Sequence, residues 1–201
     1  MDVVRMRLYY DFASTLCYVA HRVLSGVEDK IEEIGVELEW RPIDLTMAAP
    51  WNRGDSFAED VRTAVRNTAR ALDVDVEMPD PWLDSRPAAL VALSTPDDAA
   101  ERRWRRAVFE TFFERRVPTM TPELTELARE VAGFELIPEG ETAYGIVEES
   151  TREAFGLGVT GVPAIVLHNW LFGGIYDGDS MVAVLRQLSQ QYRDLGATIV
   201  N

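Results

Sequence analysis

The 201-residue chain is poor in the residues that carry redox and metal chemistry: it has one cysteine, Cys17, and two histidines, His21 and His168. A single cysteine can form no disulfide within the chain, which excludes a disulfide framework and a dithiol catalytic cycle carried out by one chain. Two widely separated histidines give no Cys/His spacing for a metal site. We therefore expect no metal cofactor.

Long apolar runs and positive charge are also scarce. No segment approaches the roughly 18 apolar residues of a membrane span, and the N-terminal MDVVRMRLYYDF lacks the apolar core of a signal peptide. The formal net charge is −14, with Lys30 the sole lysine, so nucleic acid and anionic membranes are poor partners. We expect a cytoplasmic protein that binds neither nucleic acid nor membrane, and a homodimer is one assembly the sequence allows.

The spacing of apolar residues predicts the order of the first elements. Residues 4–10 alternate as in a strand, the apolar positions from Leu16 to Val27 recur at helical spacing behind a capping Ser14, and alternation resumes over 36–40. A crossover of this length predicts that the two strands are parallel. The chain therefore opens with a β-α-β unit.

The remaining sequence predicts a helical block and then a hairpin with a closing helix. Several Pro- and Gly-punctuated segments between 55 and 155 have helical character, two short apolar runs flank His168-Asn169, and helical spacing returns after them. This order is that of an α/β protein with a thioredoxin-like fold (β-α-β … β-β-α) and a large all-helical insertion. We expect residues 1–54 and 156–201 to form the thioredoxin-like domain, and residues 55–155 to form the insertion.

Two expectations concern polar residues on the helices. His21 follows Cys17 by four residues, and we expect its side chain to be solvated. The Arg-rich segment that contains Glu101 and Glu110 predicts a charged outer face over a packed Trp104.

Two motifs, DFASTLCYVAHRVL (11–24) and GVTGVPAIVL (158–167), carry a family resemblance. Two further segments are WRPIDL, after the second strand, and SRPAAL, in the helical block. The four segments, in their order along the chain, resemble motifs of the DsbA-like thioredoxin superfamily. The similarity is to its cytoplasmic branch of FrnE-like oxidoreductases, hydroxychromene-carboxylate isomerases and kappa-class glutathione transferases, and it covers nearly the whole chain. The resemblance implies an enzyme with its site at the start of the first helix.

The tetrapeptide at that site combines features of two branches. The oxidoreductases resemble C-P-W-C, whereas the isomerases and kappa transferases resemble S-P-Y-S. Here Ser14 is isomerase-like, Cys17 is oxidoreductase-like, and Thr15 stands where both branches have proline. This departure leaves the chemistry open.

Helix physics gives Ser14 and Cys17 different candidate roles. The N-terminus of a helix stabilises an anion, but a serine hydroxyl gains too little from it to ionise. Ser14 can instead donate a hydrogen bond to a thiolate supplied from outside, as the glutathione-dependent relatives imply, or it can act only as an N-cap. Cys17, one turn further along, is expected to be buried; the alternative is a reactive monothiol.

The resemblance implies further binding residues. We expect a cis bond at Val162-Pro163, beside which an extended thiol peptide such as glutathione would pair with the backbone. Asn52 and Arg53 are candidates for gripping a carboxylate. Asp177 or Asp179 is a candidate for the γ-glutamyl ammonium, although Asp179 could equally cap the last helix.

The leading interpretation is an enzyme of the isomerase/kappa-transferase type. It would use glutathione or another low-molecular-weight thiol, bound at Ser14, to act on an electrophilic small molecule. Two alternatives stay open: a redox-inactive thioredoxin-like binding module, and a monothiol disulfide oxidoreductase that uses Cys17.

Overall fold

A mixed four-stranded sheet supports the elements that build the site. In the computed structural model, which describes residues 3–48, 52–117, 119–138 and 141–199, the order across the sheet is second, first, third, fourth strand. The first strand runs parallel to the second and antiparallel to the third, which pairs antiparallel with the fourth. The strands are β1 (Val4–Tyr10), β2 (Val36–Pro42), β3 (Ala164–Leu167) and β4 (Trp170–Gly173).

Helices account for most of the other described residues. Short 3-10 segments lie at Leu45–Met47 and Glu141–Tyr144, and a π-helical segment lies at Glu110–Glu114. The α-helices are α1 (Thr15–Ser25), α2 (Glu28–Glu33), α3 (Glu59–Ala71), α4 (Arg86–Leu93), α5 (Asp98–Phe109), α6 (Pro122–Ala132), α7 (Gly145–Gly156) and α8 (Gly178–Ile199). None of the helices in the described ranges is long and apolar enough to cross a membrane.

The observed order confirms the predicted α/β fold, a thioredoxin-like β-α-β … β-β-α chain that carries a helical insertion. β1 and β2 are parallel, as the crossover length predicts. No strand occurs among the described residues between 55 and 155. The helical region between β1 and β2 is divided into two helices at Gly26, whose N–H donates to the Arg22 and Val23 carbonyls.

One core joins the sheet to the helical block. β1 is an interior strand, and its last three residues, Leu8, Tyr9 and Tyr10, are all buried because both faces of its end are covered. The Tyr10 ring packs against Phe109 of α5, with 6.0 Å between ring centroids. The division into a thioredoxin-like domain and a 55–155 insertion stays a prediction about folding units.

Two expectations about polar side chains were wrong. His21 is buried against Phe109, and Arg105 Nη1 donates to its Nδ1 at 2.9 Å. Burial, with the charge of Arg105 adding to it, lowers the pKa of His21 to about 3, so the ring is neutral. Glu101 and Arg105 turn inward as an ion pair at 2.9 Å instead of forming part of a charged outer face.

We predict that Trp104→Ala lowers the free energy of unfolding by about 3–5 kcal/mol. Trp104 is fully buried, and its indole N–H donates to the Ala88 carbonyl at 2.8 Å, so the substitution opens a cavity and removes that hydrogen bond. Denaturant titration measures the loss. Leu136→Ala, at a side chain that is 78% exposed, is the control and should change the value by less than about 0.5 kcal/mol; similar losses in both variants would contradict this packing.

Candidate active site

The site lies at the end of the sheet where β1 stops and α1 begins. Tyr9 pairs with Ala164 in the antiparallel register, which brings the residues before β3 to the same end. The Val162–Pro163 peptide bond is cis, and Pro163 is buried. The first residue of β3 that pairs with β1 and with β4 is Ala164, so Val162 lies just before the paired part of the strand.

Ser14 is the N-cap of α1. Its backbone is extended, and its hydroxyl accepts a hydrogen bond from the Cys17 N–H at 3.4 Å. The side chain is only slightly exposed, so a ligand that contacts Oγ must lie close against the helix start. The next residue, Thr15, has a buried hydroxyl with no hydrogen-bond partner among the described residues. Two hydroxyl groups therefore flank the positive end of the helix.

Cys17 is fully buried, as the sequence predicts. Its Sγ accepts a hydrogen bond from the Asp11 N–H at 3.5 Å. Burial raises the pKa of the Cys17 thiol to about 12, against the smaller opposing effects of hydrogen bonds from Ser14 and the Asp11 N–H. The thiol is therefore protonated near neutral pH, which removes the form that reacts.

Behind these two residues lies a buried carboxylate that the sequence analysis did not single out. Asp11 is fully buried and accepts hydrogen bonds from the Ala13 N–H (2.8 Å), the Leu45 N–H (2.9 Å) and the Ser85 hydroxyl (2.6 Å). Burial raises the pKa of Asp11 to about 6 despite these donors. The sequence signal for this role was that Asp11 opens the motif DFASTLCYVAHRVL, between β1 and the tetrapeptide.

Arg53 is held beside this cluster. One of its guanidinium nitrogens lies 2.5 Å from the Asp44 carboxylate, and another lies 3.6 Å from Asp84. Asp44 directly precedes Leu45, the residue whose N–H binds Asp11. The structure therefore brings Arg53 to the same end of the sheet as Asp11. Asn52 instead points to Asp55, to which its amide donates at 2.8 Å.

Asp177 is not brought to Ser14. Its carboxylate accepts hydrogen bonds from the Ser180 N–H and hydroxyl, so it caps α8, and its neighbour Asp179 pairs with Lys30 of α2 at 2.7 Å. A side-chain carbon at Gly178 would lie 2.6 Å from Val27. The start of α8 therefore lies beside the segment after α1, at the opposite end of that helix from Ser14.

Comparison with known proteins places the chain in one family. The model of the DSBA-like thioredoxin domain matches residues 5–189. Comparison with curated protein sequences gives no significant match.

Solved structures with a similar fold include enzymes with different names. A 2-hydroxychromene-2-carboxylate isomerase is 18% identical, with a TM-score of 0.69 over 96% of this chain and 99% of that chain. A probable DsbA oxidoreductase from Streptomyces coelicolor is 21% identical, with a TM-score of 0.61 over 91% and 88%. The cytosolic disulfide reductase DsbM from Pseudomonas aeruginosa, solved with GSH, is 19% identical, with a TM-score of 0.60 over 94% and 100%.

We predict that native Cys17 reacts with iodoacetamide at least about 100-fold more slowly than free cysteine at pH 7.5, because a buried thiol with a raised pKa is almost never a thiolate. Mass spectrometry over time measures the rate. The same protein in denaturant is the control and should react like free cysteine. Native labelling at the free-cysteine rate would contradict the buried placement.

The raised pKa of Asp11 predicts a pH dependence of stability. A carboxyl whose folded pKa is raised from 3.8 to about 6 favours folding most below pH 3.8, and this contribution is lost as the pH rises through 6. Between pH 4 and 7, the unfolding free energy of the wild type should therefore fall by up to about 3 kcal/mol relative to Asp11→Asn.

Denaturant titrations of both proteins across this range test the prediction. The opposite effect of His21, whose pKa is lowered, is present in both proteins and cancels in the difference. Asp75→Asn, at an exposed position, is the control and should follow the wild type at every pH. Parallel wild-type and Asp11→Asn curves would show that Asp11 does not titrate as its burial requires.

Proposed function

The chain belongs to the DSBA-like thioredoxin domain family, and we propose that it is a thiol-dependent isomerase or transferase. In this proposal, glutathione or another low-molecular-weight thiol binds at Ser14, and the substrate is an electrophilic small molecule. Val162, Pro163 and Arg53 contribute to thiol binding, and the helices of residues 55–155 provide the apolar wall that selects the substrate.

The observation that carries the proposal is that this thioredoxin-type site has no reactive sulfur of its own. The first position of the tetrapeptide is a hydroxyl at the helix start. The only cysteine of the chain is fully buried, with its pKa raised to about 12. Sulfur chemistry at this site therefore needs a thiol from outside.

The described residues suit an incoming thiolate. The N-terminus of α1 stabilises negative charge. The Ser14 hydroxyl can turn from Cys17 Sγ and donate its hydrogen bond to a new acceptor. The Thr15 hydroxyl makes no hydrogen bond within the described residues, so it can donate to a ligand without losing one. Arg53 is about one-third exposed and can share its guanidinium between Asp44 and a ligand carboxylate. These groups match the sulfur and one carboxylate of glutathione.

A bound thiol would supply a nucleophile that adds to an electrophilic carbon and can leave again. Reversible addition of the thiolate to a conjugated double bond would allow rotation about that bond and would return the thiolate unchanged. Keeping the new carbon–sulfur bond, with a proton from solvent on the adjacent carbanion, would give transfer. The chain's own contribution is to hold the sulfur and exclude water from it. Ser14 also stabilises the negative charge on the sulfur by donating a hydrogen bond to it.

Two of the structural neighbours support this choice by their names. One is an isomerase of a small carboxylate, and another was solved with GSH. The cytosolic location named for the second also supports our proposal that this chain works in the cytoplasm. A homodimer remains compatible with the proposal.

Burial argues against the monothiol alternative, since Cys17 could attack a disulfide only after the start of α1 opened. The redox-inactive binding module is the stronger rival, because Ser14 is itself only slightly exposed. Titration with thiols separates the two remaining hypotheses, the thiol-dependent enzyme and the redox-inactive binding module.

We predict that Ser14→Ala weakens glutathione binding at least about ten-fold, because it removes a hydrogen bond to a charged sulfur. Calorimetric titration measures the affinity. The matched control is Thr121→Ala: Thr121 caps α6 by accepting from the Leu124 N–H at 3.3 Å and lies outside the site. Both substitutions should cost about 1 kcal/mol of stability, and only the first should change affinity.

Two results would count against the proposal. Equal glutathione affinity in both variants and the wild type would show that Ser14 is only a helix cap. A wild-type protein that binds neither glutathione nor other low-molecular-weight thiols would favour the redox-inactive binding module.

A further inference from the structure

A second cavity lies at the far end of α1 from Ser14. It has a volume of about 380 Å³ and is enclosed by the end of α1, by α2, by the edge strand β2 and by the start of α5. Ser14 and Ser25 lie at opposite ends of an 11-residue helix, which separates the cavity from the thiol site by about 16 Å. A ligand in this cavity would not touch Ser14.

The floor of the cavity is apolar. Leu24 of α1, Ile31 of α2 and Val36 of β2 are buried beneath it, and Leu38 and Trp40 of β2 are partly buried. Among the described strands, β2 lies at the edge of the sheet, so the cavity opens on the side of β2 away from β1. This volume is within the range of small-molecule sites, and the apolar floor offers a surface to an apolar body.

The charged side chains that line the cavity are mainly acidic. Two arginines, Arg102 and Arg105, line it together with five carboxylates: Glu28, Glu32, Glu37, Asp98 and Glu101. A concave, partly apolar surface with one sign of charge concentrates ligands of the opposite sign.

Three of the five carboxylates already have partners. Arg102 pairs with Glu28 at 2.7 Å, Arg5 with Glu37 at 2.9 Å, and Arg105 with Glu101 at 2.9 Å.

Two acids at the mouth form no ion pair within the described residues. Both Glu32 and Asp98 are exposed, and Asp98 also lies close enough to Arg5 to help raise the pKa of that guanidinium. They lie on different elements, Glu32 on α2 and Asp98 on the first turn of α5. A cation between these elements could interact with both while its apolar part lies over Val36 and Leu38.

The inner wall of the cavity is held by a network of buried polar contacts. Glu101 and Arg105 are more than nine-tenths buried, and the Tyr10 hydroxyl donates to Glu101 at 3.1 Å. The Arg105 guanidinium lies over the Trp40 ring, with 3.8 Å from Cζ to the ring centroid, and donates to His21. This network pre-forms the wall and therefore lowers the conformational cost of binding.

We propose that this cavity binds an organic cation with an apolar body, of the class of primary alkyl or aryl amines. The two unpaired carboxylates receive the ammonium group, and the β2 face receives the hydrocarbon. A carboxylate ligand is disfavoured because it would meet the two carboxylates at the mouth that form no ion pair.

Hexylamine is a suitable probe, with hexan-1-ol and hexanoate as uncharged and anionic analogues of the same length. At neutral pH, hexylamine should bind the full-length protein at least about five-fold more tightly than hexan-1-ol, and hexanoate should bind most weakly. Saturation-transfer NMR and calorimetry measure the three affinities.

Variants locate the site. Glu32→Gln combined with Asp98→Asn should weaken hexylamine binding at least about five-fold and leave hexan-1-ol unchanged. Glu33→Gln, the next residue on α2 and outside the cavity lining, is the matched control and should not change either affinity. Ser14→Ala should also leave hexylamine binding unchanged, which keeps this test independent of the thiol site.

Several outcomes would overturn the proposal. They are no hexylamine binding, equal affinity for hexylamine and hexan-1-ol, and an unchanged hexylamine affinity in the Glu32/Asp98 double variant. Self-association that excludes hexylamine would also overturn it, since the cavity would then be a contact between two copies of the chain.

Discussion

The buried carboxylate of Asp11 is the interaction on which the geometry of the thiol site depends. Burying a carboxylate is costly unless donors surround it, and here the donors come from three parts of the chain. Ala13 lies in the turn before α1, Leu45 follows β2, and Ser85 precedes α4 of the helical block. One side chain therefore joins the segments that follow β1 and β2 to the helical block.

This constraint explains the division of roles at the start of α1. With the turn held by Asp11, Ser14 adopts the extended conformation of an N-cap and Cys17 is carried into the core, where the Asp11 N–H donates to its sulfur. The same geometry that would support a reactive cysteine at the first position presents a hydroxyl here. The site thus keeps the anion-stabilising helix end and lacks an accessible sulfur.

Sequence patterns predict the parts of this arrangement that depend on local periodicity. The β-α-β opening, the helical block, the hairpin, the cap at Ser14 and the buried Cys17 all follow from spacing or from the family motifs. The contacts of Asp11 do not, because Ser85 is 74 residues away and no local pattern links them. The prediction that His21 and Arg105 are exposed was wrong for the same reason. Each is buried against a polar partner that lies on another helix.

The proposed role of Ser14 makes a direct claim about the sulfur of the bound thiol: its pKa must fall when it contacts this site. Thiolate absorbance near 240 nm, followed against pH for glutathione bound to the Cys17→Ala variant, measures that pKa without interference from the chain's own cysteine. A thiol held at the start of α1 should titrate at least about one unit below its free value near 8.5. A bound thiol that titrates at or above the free value would contradict the central claim that Ser14 and the helix end hold a thiolate.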